Sequence, residues 1–352
     1  MIPFTLIQPQ VRTIALLLSI ALAAPAFAQQ PPAPAPQQPA QTQDQSPSTQ
    51  DQQDQPLETL RVNVNVVNIY FNVKDKHGRL IPDLTRDDFA ISEDGKPQTV
   101  KYFSKETDQP LTLGMLIDTS GSQQQVLGIE QSVGAQFLQQ VLRPKDLAFL
   151  INFDVNVELD QDFTNNGQQL RKALNEVRIN RGGGGATGIP GIGQGPFPTS
   201  NPRGTLLYDA IFLAADEKLK SEVGRKAMII LTDGEDQGSQ EKIETAIESA
   251  QKSDAMCYVL LIEDRGVYNG FGAGLMKKLA EQTGGRLIEV GNKPEKLREA
   301  LDQISNELRT QYFIGYAPTN QKRDGSYRKV EVKPKNNDYK IQARKGYYAP
   351  NK

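Results

Sequence analysis

The chain has 352 residues, enough for more than one hydrophobic core, and its 40 basic and 42 acidic side chains leave a net charge of −2. So near a balance gives no global attraction to nucleic acid or to acidic surfaces. The single cysteine, Cys257, excludes an intramolecular disulfide, and its place in the apolar run Ala255 to Ile262 is that of a buried small hydrophobe.

In chain order, Arg12 precedes an apolar stretch over 14–24 that ends in Ala26-Phe27-Ala28. This is the form of a cleaved secretory signal over residues 1–28, too short for a membrane span of ~20 residues. The protein is therefore expected to be exported, in a bacterium, to the periplasm or the medium. No membrane span is expected elsewhere, and no cysteine lies near the cleavage site to take a lipid. Residues 29–56 are almost all Gln, Pro, Ala, Ser, Thr and Asp. They carry too little apolar surface to offset the entropy of ordering, so a disordered linker is expected there.

Residues 57–109 read as β-structure. Val62, Val64 and Val66 alternate with polar residues, and Val67, Ile69, Phe71 and Val73 then alternate in the opposite phase. The phase change predicts a bulge or a change of sheet near Val66 and Val67. His77-Gly78 predicts a turn, Thr85 to Asp88 a single capped helical turn, and Asp94-Gly95 a hairpin leading into Val100, Tyr102 and Phe103. A segment this small and one-sided needs a partner.

From residue 110 the rhythm becomes alternating strand and helix. Leu111 to Ile117 is an unbroken apolar run, the pattern of a strand buried on both faces of a parallel sheet, and it stops at Asp118-Thr119-Ser120-Gly121-Ser122. Open α/β sheets bind ligands beyond the carboxyl ends of their strands, so Asp118, Ser120 and Ser122 lie where such a fold places its chemistry. Oxygen-only donors suit a hard cation such as Mg²⁺. Taken alone, the stretch reads equally well as the cap of the next helix, where Asp and Ser are preferred. A helix follows over Val126 to Val141. Strands over Asp146 to Phe153 and Val155 to Phe163 are joined too tightly to be other than antiparallel, and a helix runs from Gln168 to Val177.

Asn180 to Arg203 is rich in Gly and Pro without periodicity. Its Gly183 to Gly188 matches G-x-G-x-x-G in form, but the strand before and helix after that a dinucleotide site needs are missing, so a loop over the same sheet edge is expected. Thr205 opens a helix reaching Lys220, and the strand Ala227 to Leu231 leads to a second carboxylate, Asp233. Helices over Gln240 to Lys252, Leu275 to Gln282 and Pro294 to Gln311 alternate with strands over Met256 to Ile262 and Arg286 to Val290. The pattern predicts an α/β fold, a doubly wound and mostly parallel sheet covered on both faces.

Residues 312–352 return to β, with Tyr312 to Tyr316, an Asp324-Gly325 hairpin turn, and alternating Val330/Val332 and Ile341/Ala343. Neither β-segment has a partner of its own. The two are expected to pair into one sandwich-like region of N- and C-terminal strands, from which the α/β domain emerges as an insertion; two independent hairpins are the alternative. The ending is basic, with Lys322, Arg323, Arg328, Lys329, Lys333, Lys335, Lys340, Arg344 and Lys345. Such residues form a solvated face or guard an edge strand; a surface for an acidic polymer or membrane headgroups is the second reading.

Three separated pieces carry a resemblance. D-x-S-x-S at 118–122, Gly204-Thr205 at a helix start and L-T-D-G at 231–234, in that order, resemble the metal-ion-dependent adhesion site of von Willebrand factor A (VWA) domains. The resemblance covers roughly residues 110–311. The wider layout, with Glu93 to Pro97 and Gly346 to Pro350, is similar to bacterial secreted proteins related to that family. It implies that Ser120 and Ser122 bind a divalent metal through their hydroxyls, Mg²⁺ before Mn²⁺ or Ca²⁺. It implies further that Thr205 binds directly or through water, that Asp118 and Asp233 act mainly through water, and that one position stays open for a carboxylate of a protein ligand. Neutral hydroxyls leave the ion's charge poorly compensated, which favours an anionic oxygen there. Glu235 and Asp236 read as solvated loop acids or as competitors for the ion. Asp209, near one helix turn after Thr205, is a further candidate for a hydrogen bond within the site.

An enzyme has little to draw on here. His77, the only histidine, lies on a predicted turn, so neither a Ser-His-Asp nor a Cys-His site is expected, and zinc hydrolysis lacks its histidine ligands. What remains is metal-assisted phosphoester hydrolysis at Asp118, Asp233, Glu235 and Asp236, against which the serine-rich donor set argues. A third possibility is a structural envelope protein with the fold but no metal. The expected function is an exported, metal-dependent binding or adhesion module, not an enzyme, that takes a protein ligand and no nucleic acid.

Overall fold

Alternating burial drives the first strands. A computed structural model describes residues 66–105, 109–179, 204–262 and 271–351, all within one compact unit that runs from Arg61 to Lys352. Val62, Val64, the signal and linker stretches and the 180–203 loop lie outside the described residues. β1 (Val67–Lys74) buries Val67, Ile69, Phe71 and Val73 on one face, as the period of two requires. His77-Gly78 turns the chain, with the Gly78 amide donating to the Asp75 carbonyl at 3.0 Å. A 3₁₀ turn at Arg86–Asp88 follows, its start held by the Asp88 carboxylate, which accepts from the Thr85 amide at 2.8 Å. β2 (Phe89–Glu93) and β3 (Lys96–Gln98) form an antiparallel hairpin around Asp94-Gly95. Both turn residues sit in the left-handed region, with φ of 48° and 78°, the geometry a two-residue hairpin needs. β4 (Val100–Lys105) is not the hairpin's return strand; it crosses to the other sheet of the β-region.

The α/β domain is built around β5 (Leu111–Asp118), buried at every position. After a 3₁₀ turn at Gly121–Gln125 come α1 (Leu127–Val141), β6 (Leu147–Phe153), β7 (Val157–Thr164) and α2 (Gly167–Glu176). Next are α3 (Leu207–Leu213), which continues as a π-helical stretch over Ala214–Leu219, then β8 (Arg225–Thr232), α4 (Ile243–Lys252) and β9 (Ala255–Leu261). α5 (Phe271–Thr283), β10 (Leu287–Glu289) and α6 (Pro294–Arg309) complete it. The strand order is β10-β9-β8-β5-β6-β7, parallel throughout except for β7 at one edge. Leu111, Leu113, Met115 and Ile117 pack with α1, α2 and α6, whereas Leu116 packs with α3, α4 and α5. Gly114 shares the face of Leu116, and a Cβ there would lie 2.5 Å from Phe149 Cζ, so the absent side chain makes room for the ring. α4 begins at Ile243 rather than Gln240, because the Gln240 and Glu241 amides donate to the Asp209 carboxylate at 3.0 and 2.8 Å instead of starting the helix. Among the described residues no helix is long and apolar enough to cross a membrane.

The last strands return to the first. β11 (Tyr312–Tyr316) lies between β1 and β4, and β12 (Tyr327–Pro334) between β2 and β14 (Gly346–Tyr348). β13 (Lys340–Ala343) takes the free edge of β1. Two antiparallel four-stranded sheets result, β13-β1-β11-β4 and β14-β12-β2-β3. Asp324-Gly325 is a turn but not a hairpin, since β11 and β12 belong to different sheets and the chain between them crosses over. The two sheets enclose one core, in which Phe71 meets Phe89 edge-on at 5.0 Å and stacks on Tyr312 at 5.5 Å. Within it Glu93 accepts from the hydroxyls of Tyr316 and Tyr347 at 2.8 and 3.0 Å, with Arg328 at 3.6 Å. Glu307 on α6 joins this region to the α/β domain: its carboxylate receives Lys74 at 2.9 Å, Arg286 at 2.7 Å and the Gln342 amide at 3.1 Å.

Candidate metal centre

The chain runs from β5 to β6 on one side of the sheet and returns to place β8 on the other side of β5. β5 and β8 therefore flank the switch point of the sheet, where an open α/β fold leaves a crevice at the carboxyl ends of its strands. Their register pairs Ile117 with Leu231, which brings Asp118 beside Thr232 and Asp233 just beyond. Asp118 is 0% exposed. One carboxylate oxygen accepts from the Ser120 amide at 3.0 Å and the other from the Thr232 hydroxyl at 2.8 Å. Above it, the Ser120 and Ser122 hydroxyls are 2.9 Å apart, and Ser122 donates to Asp233 at 2.6 Å. Gly234 follows with φ of 84°, which lets its amide turn back onto the Thr232 hydroxyl at 3.0 Å.

Two carboxyl groups are thus held close, Asp118 fully buried and Asp233 half-buried. Burial first, and then the charge of Asp233, push the Asp118 carboxyl up to about 7 against the hydrogen bonds it accepts. Glu130 on α1 belongs to the same field. It is 1% exposed, and neither carboxyl oxygen has a hydrogen-bond partner. Burial, followed by Asp118 and Asp233, holds it well above the ordinary carboxyl range. A cation among these groups would reverse the balance, and the donor set, all hydroxyl and carboxylate oxygen, fits a hard one. Among the described residues no group of three or more His, Cys, Asp or Glu converges, so hydroxyls would have to complete any such site.

Thr205 is pinned at the same sheet edge. Its amide donates to the Gln237 carbonyl at 3.2 Å and its carbonyl accepts the Gln237 amide at 3.0 Å, while the Leu206 amide donates to the Asp154 carbonyl at 2.7 Å. Asp154 in turn accepts from the Thr119 hydroxyl at 3.0 Å, tying this loop to the one that carries Ser120. Ser120, Ser122 and Asp233 are in direct contact over Asp118. Thr205 makes no hydrogen bond to those four among the described residues. The other acids have structural partners. Asp209 holds the start of the loop before α4, Asp236 accepts from the Tyr208 amide at 3.1 Å, and Glu235 accepts from the Gln237 amide group at 3.0 Å. Thr119, Asp154, Thr232 and Glu130 were not singled out by the motif. Glu130 had a signal of its own, since its spacing from Val126, Val133 and Phe137 places it on the apolar face of α1.

The chain thus contains an open, mostly parallel α/β sheet with a cluster of hydroxyls and carboxylates at its switch point. No family model matches the chain, and no curated protein matches it significantly. Solved structures similar to it include BatB from Bacteroides thetaiotaomicron, 16% identical over 56% of this chain and 99% of that one, with a TM-score of 0.42. The vWF domain of the type V pili tip protein Mfa5 from Porphyromonas gingivalis is 12% identical over 57% of this chain and 95% of its own, with a TM-score of 0.41. Proximal thread matrix protein 1 from the mussel byssus, with a zinc-occupied MIDAS motif, is 13% identical over 60% and 48% of the two chains, with a TM-score of 0.45.

Proposed function

We propose that the chain is an exported binding module that holds a hard divalent cation, Mg²⁺ before Mn²⁺ or Ca²⁺, and through it captures a carboxylate of a partner protein. The observation that carries this reading is the continuous contact from Ser120 through Ser122 to Asp233 above the buried Asp118. Ser120 and Ser122 would hold the cation through their hydroxyls, Thr205 directly or through water, and Asp118 and Asp233 from behind through water. The bound cation supplies a coordination position for an anionic oxygen. Asp118, braced by Thr232 and the Ser120 amide, keeps the loop in register with Asp233. A binder is favoured over an enzyme because burial pushes the Cys257 thiol up to about 12, and His77 lies on an exposed turn. In the same reading, residues 1–28 are a signal peptide, 29–56 a linker, 57–109 and 312–352 the β-rich parts, and 110–311 the VWA-like domain.

Titration calorimetry with Mg²⁺ and Mn²⁺ tests the proposal. Wild type should bind with measurable heat and Asp118→Ala should not. No heat in the wild type would favour a metal-free structural role, and metal-dependent turnover of a phosphoester would favour the hydrolase. Asp233→Ala should stay folded yet lose capture of the partner from envelope extract, as the wild type should in EDTA; retained capture by the folded variant would refute the role of Asp233.

A further inference from the structure

The basic C-terminal segment is not simply a solvated face. Arg328 and Arg344 are 2% and 9% exposed and line a cleft of about 1030 Å³ at the seam between the β-region and the α/β domain. The Nε of each is enclosed without a hydrogen-bond partner. Their remaining donors reach carbonyls and acids of the cleft wall: Arg328 bonds the Asn320 and Lys322 carbonyls, and Arg344 bonds Asp254 and the Asn68 carbonyl. Both guanidinium groups lie about 6 Å from the Tyr347 ring, at 6.0 and 5.9 Å. The two arginines thus act as the floor that fixes the cleft.

The rim supplies charge that the protein does not consume. Lys101 from β4 and Lys322 and Arg323 from the crossing loop are exposed, line the same cleft, and have no carboxylate partner among the described residues. Lys220 and Lys252 join them from the other wall, each paired at 2.7 Å with an acid one helix turn away on the surface, Lys252 also lying over the Tyr348 ring at 5.4 Å. Such exposed pairs are worth little and exchange readily for a ligand oxygen. Among the described residues Asp254 is the only carboxylate residue lining the cleft, and it is already bonded to Arg344. Between the cations the walls present the amides of Asn68, Gln321 and Asn351 and the ring of Tyr348. Amides both donate and accept, which matches hydroxyl groups, whereas the cations match carboxylates. A cleft of this size takes an extended ligand rather than a single ring.

We infer that this cleft, which neither Asp118 nor Asp233 lines, binds an acidic polysaccharide, a chain that carries sugar hydroxyls and uronate carboxylates together. The convergence on one concavity of cations from β4, the end of the α3 helical segment, α4, the crossing loop and β12 to β14 is what carries the inference.

Calorimetric titration of the full chain in EDTA, which silences any cation site, is the test. The probes are hexagalacturonate, a neutral galacto-oligosaccharide of equal length, and hexaglutamate. Hexagalacturonate should bind, weaken as salt rises, and bind at least about tenfold more tightly than either control. The triple variant Lys101→Glu, Lys322→Glu, Arg323→Glu leaves the two floor arginines intact. It should lose at least about tenfold in uronate affinity with unchanged Tm. No heat with hexagalacturonate, or equal affinity in the triple variant, would overturn the site. Equal affinity for hexaglutamate would overturn the ligand class.

Discussion

Glu130 carries, in a single carboxyl, the electrostatics of the site above it. Burial and the charges of Asp118 and Asp233 keep it protonated well above its ordinary value of 4.5, so folding takes up a proton here. As pH rises past that value the unfolded chain gives up the proton and the folded chain retains it, and stability falls until the folded carboxyl itself titrates. Glu130→Gln removes the loss. In EDTA, its stability relative to wild type should be flat below about pH 4 and should grow above about pH 5, by up to ~1.4 kcal/mol per pH unit. Urea denaturation at a series of pH values checks this, and a difference constant in pH would mean that Glu130 titrates as an ordinary carboxyl. The contrast with its neighbours shows what a sequence discloses at this scale. Asp118, Ser120, Ser122 and Asp233 stand at strand ends in a recognisable order and were legible. Glu130 was not, because its letter names a surface residue and only its helical phase places it inside.

At the scale of the element, β5 and its neighbours were legible because an unbroken apolar run has few other uses in a chain that alternates strand and helix. What escaped was set by long-range hydrogen bonds. α4 starts late because Asp209, distant in sequence, takes the amides of Gln240 and Glu241. Asp324-Gly325 carries the signature of a hairpin turn, yet β12 finds β2 rather than β11, since pairing partners depend on the closure of two sheets and not on the turn. β5 also offers a direct test of close packing. Gly114→Ala would push a methyl group into the Phe149 ring, at 2.5 Å from Cζ, and should cost about 1–3 kcal/mol. Phe149→Leu in the same chain should recover part of that loss. A cost in Gly114→Ala below a few tenths of a kcal/mol in urea denaturation would mean that the ring moves freely.

For the whole molecule, the pairing of the two β-segments into a sandwich was legible, because neither segment had enough strands to stand alone, but which strand joins which sheet was not. Glu307 shows how the β-region and the α/β domain are held as one body. It is buried, and it receives Lys74 from β1, Arg286 from the loop before β10 and Gln342 from β13. Removing it leaves cations around an empty place, so Glu307→Ala should lose about 3–5 kcal/mol of stability. A guanidinium denaturation with a lowered midpoint and an unchanged slope would show the loss; separate transitions would show that the two parts no longer melt together.

β1 lies hydrogen-bonded between β11 and β13, strands that are synthesised only after the whole α/β domain. A nascent chain that has not yet reached residue 312 has no strand for either flank of β1, and a bare strand of that kind invites pairing with another copy. The molecule is in effect a clasp whose first half must wait, unfastened, through most of its own translation. A product cut short before the clasp shuts should aggregate even though the loops that carry Asp118, Ser120, Ser122 and Asp233 are all present.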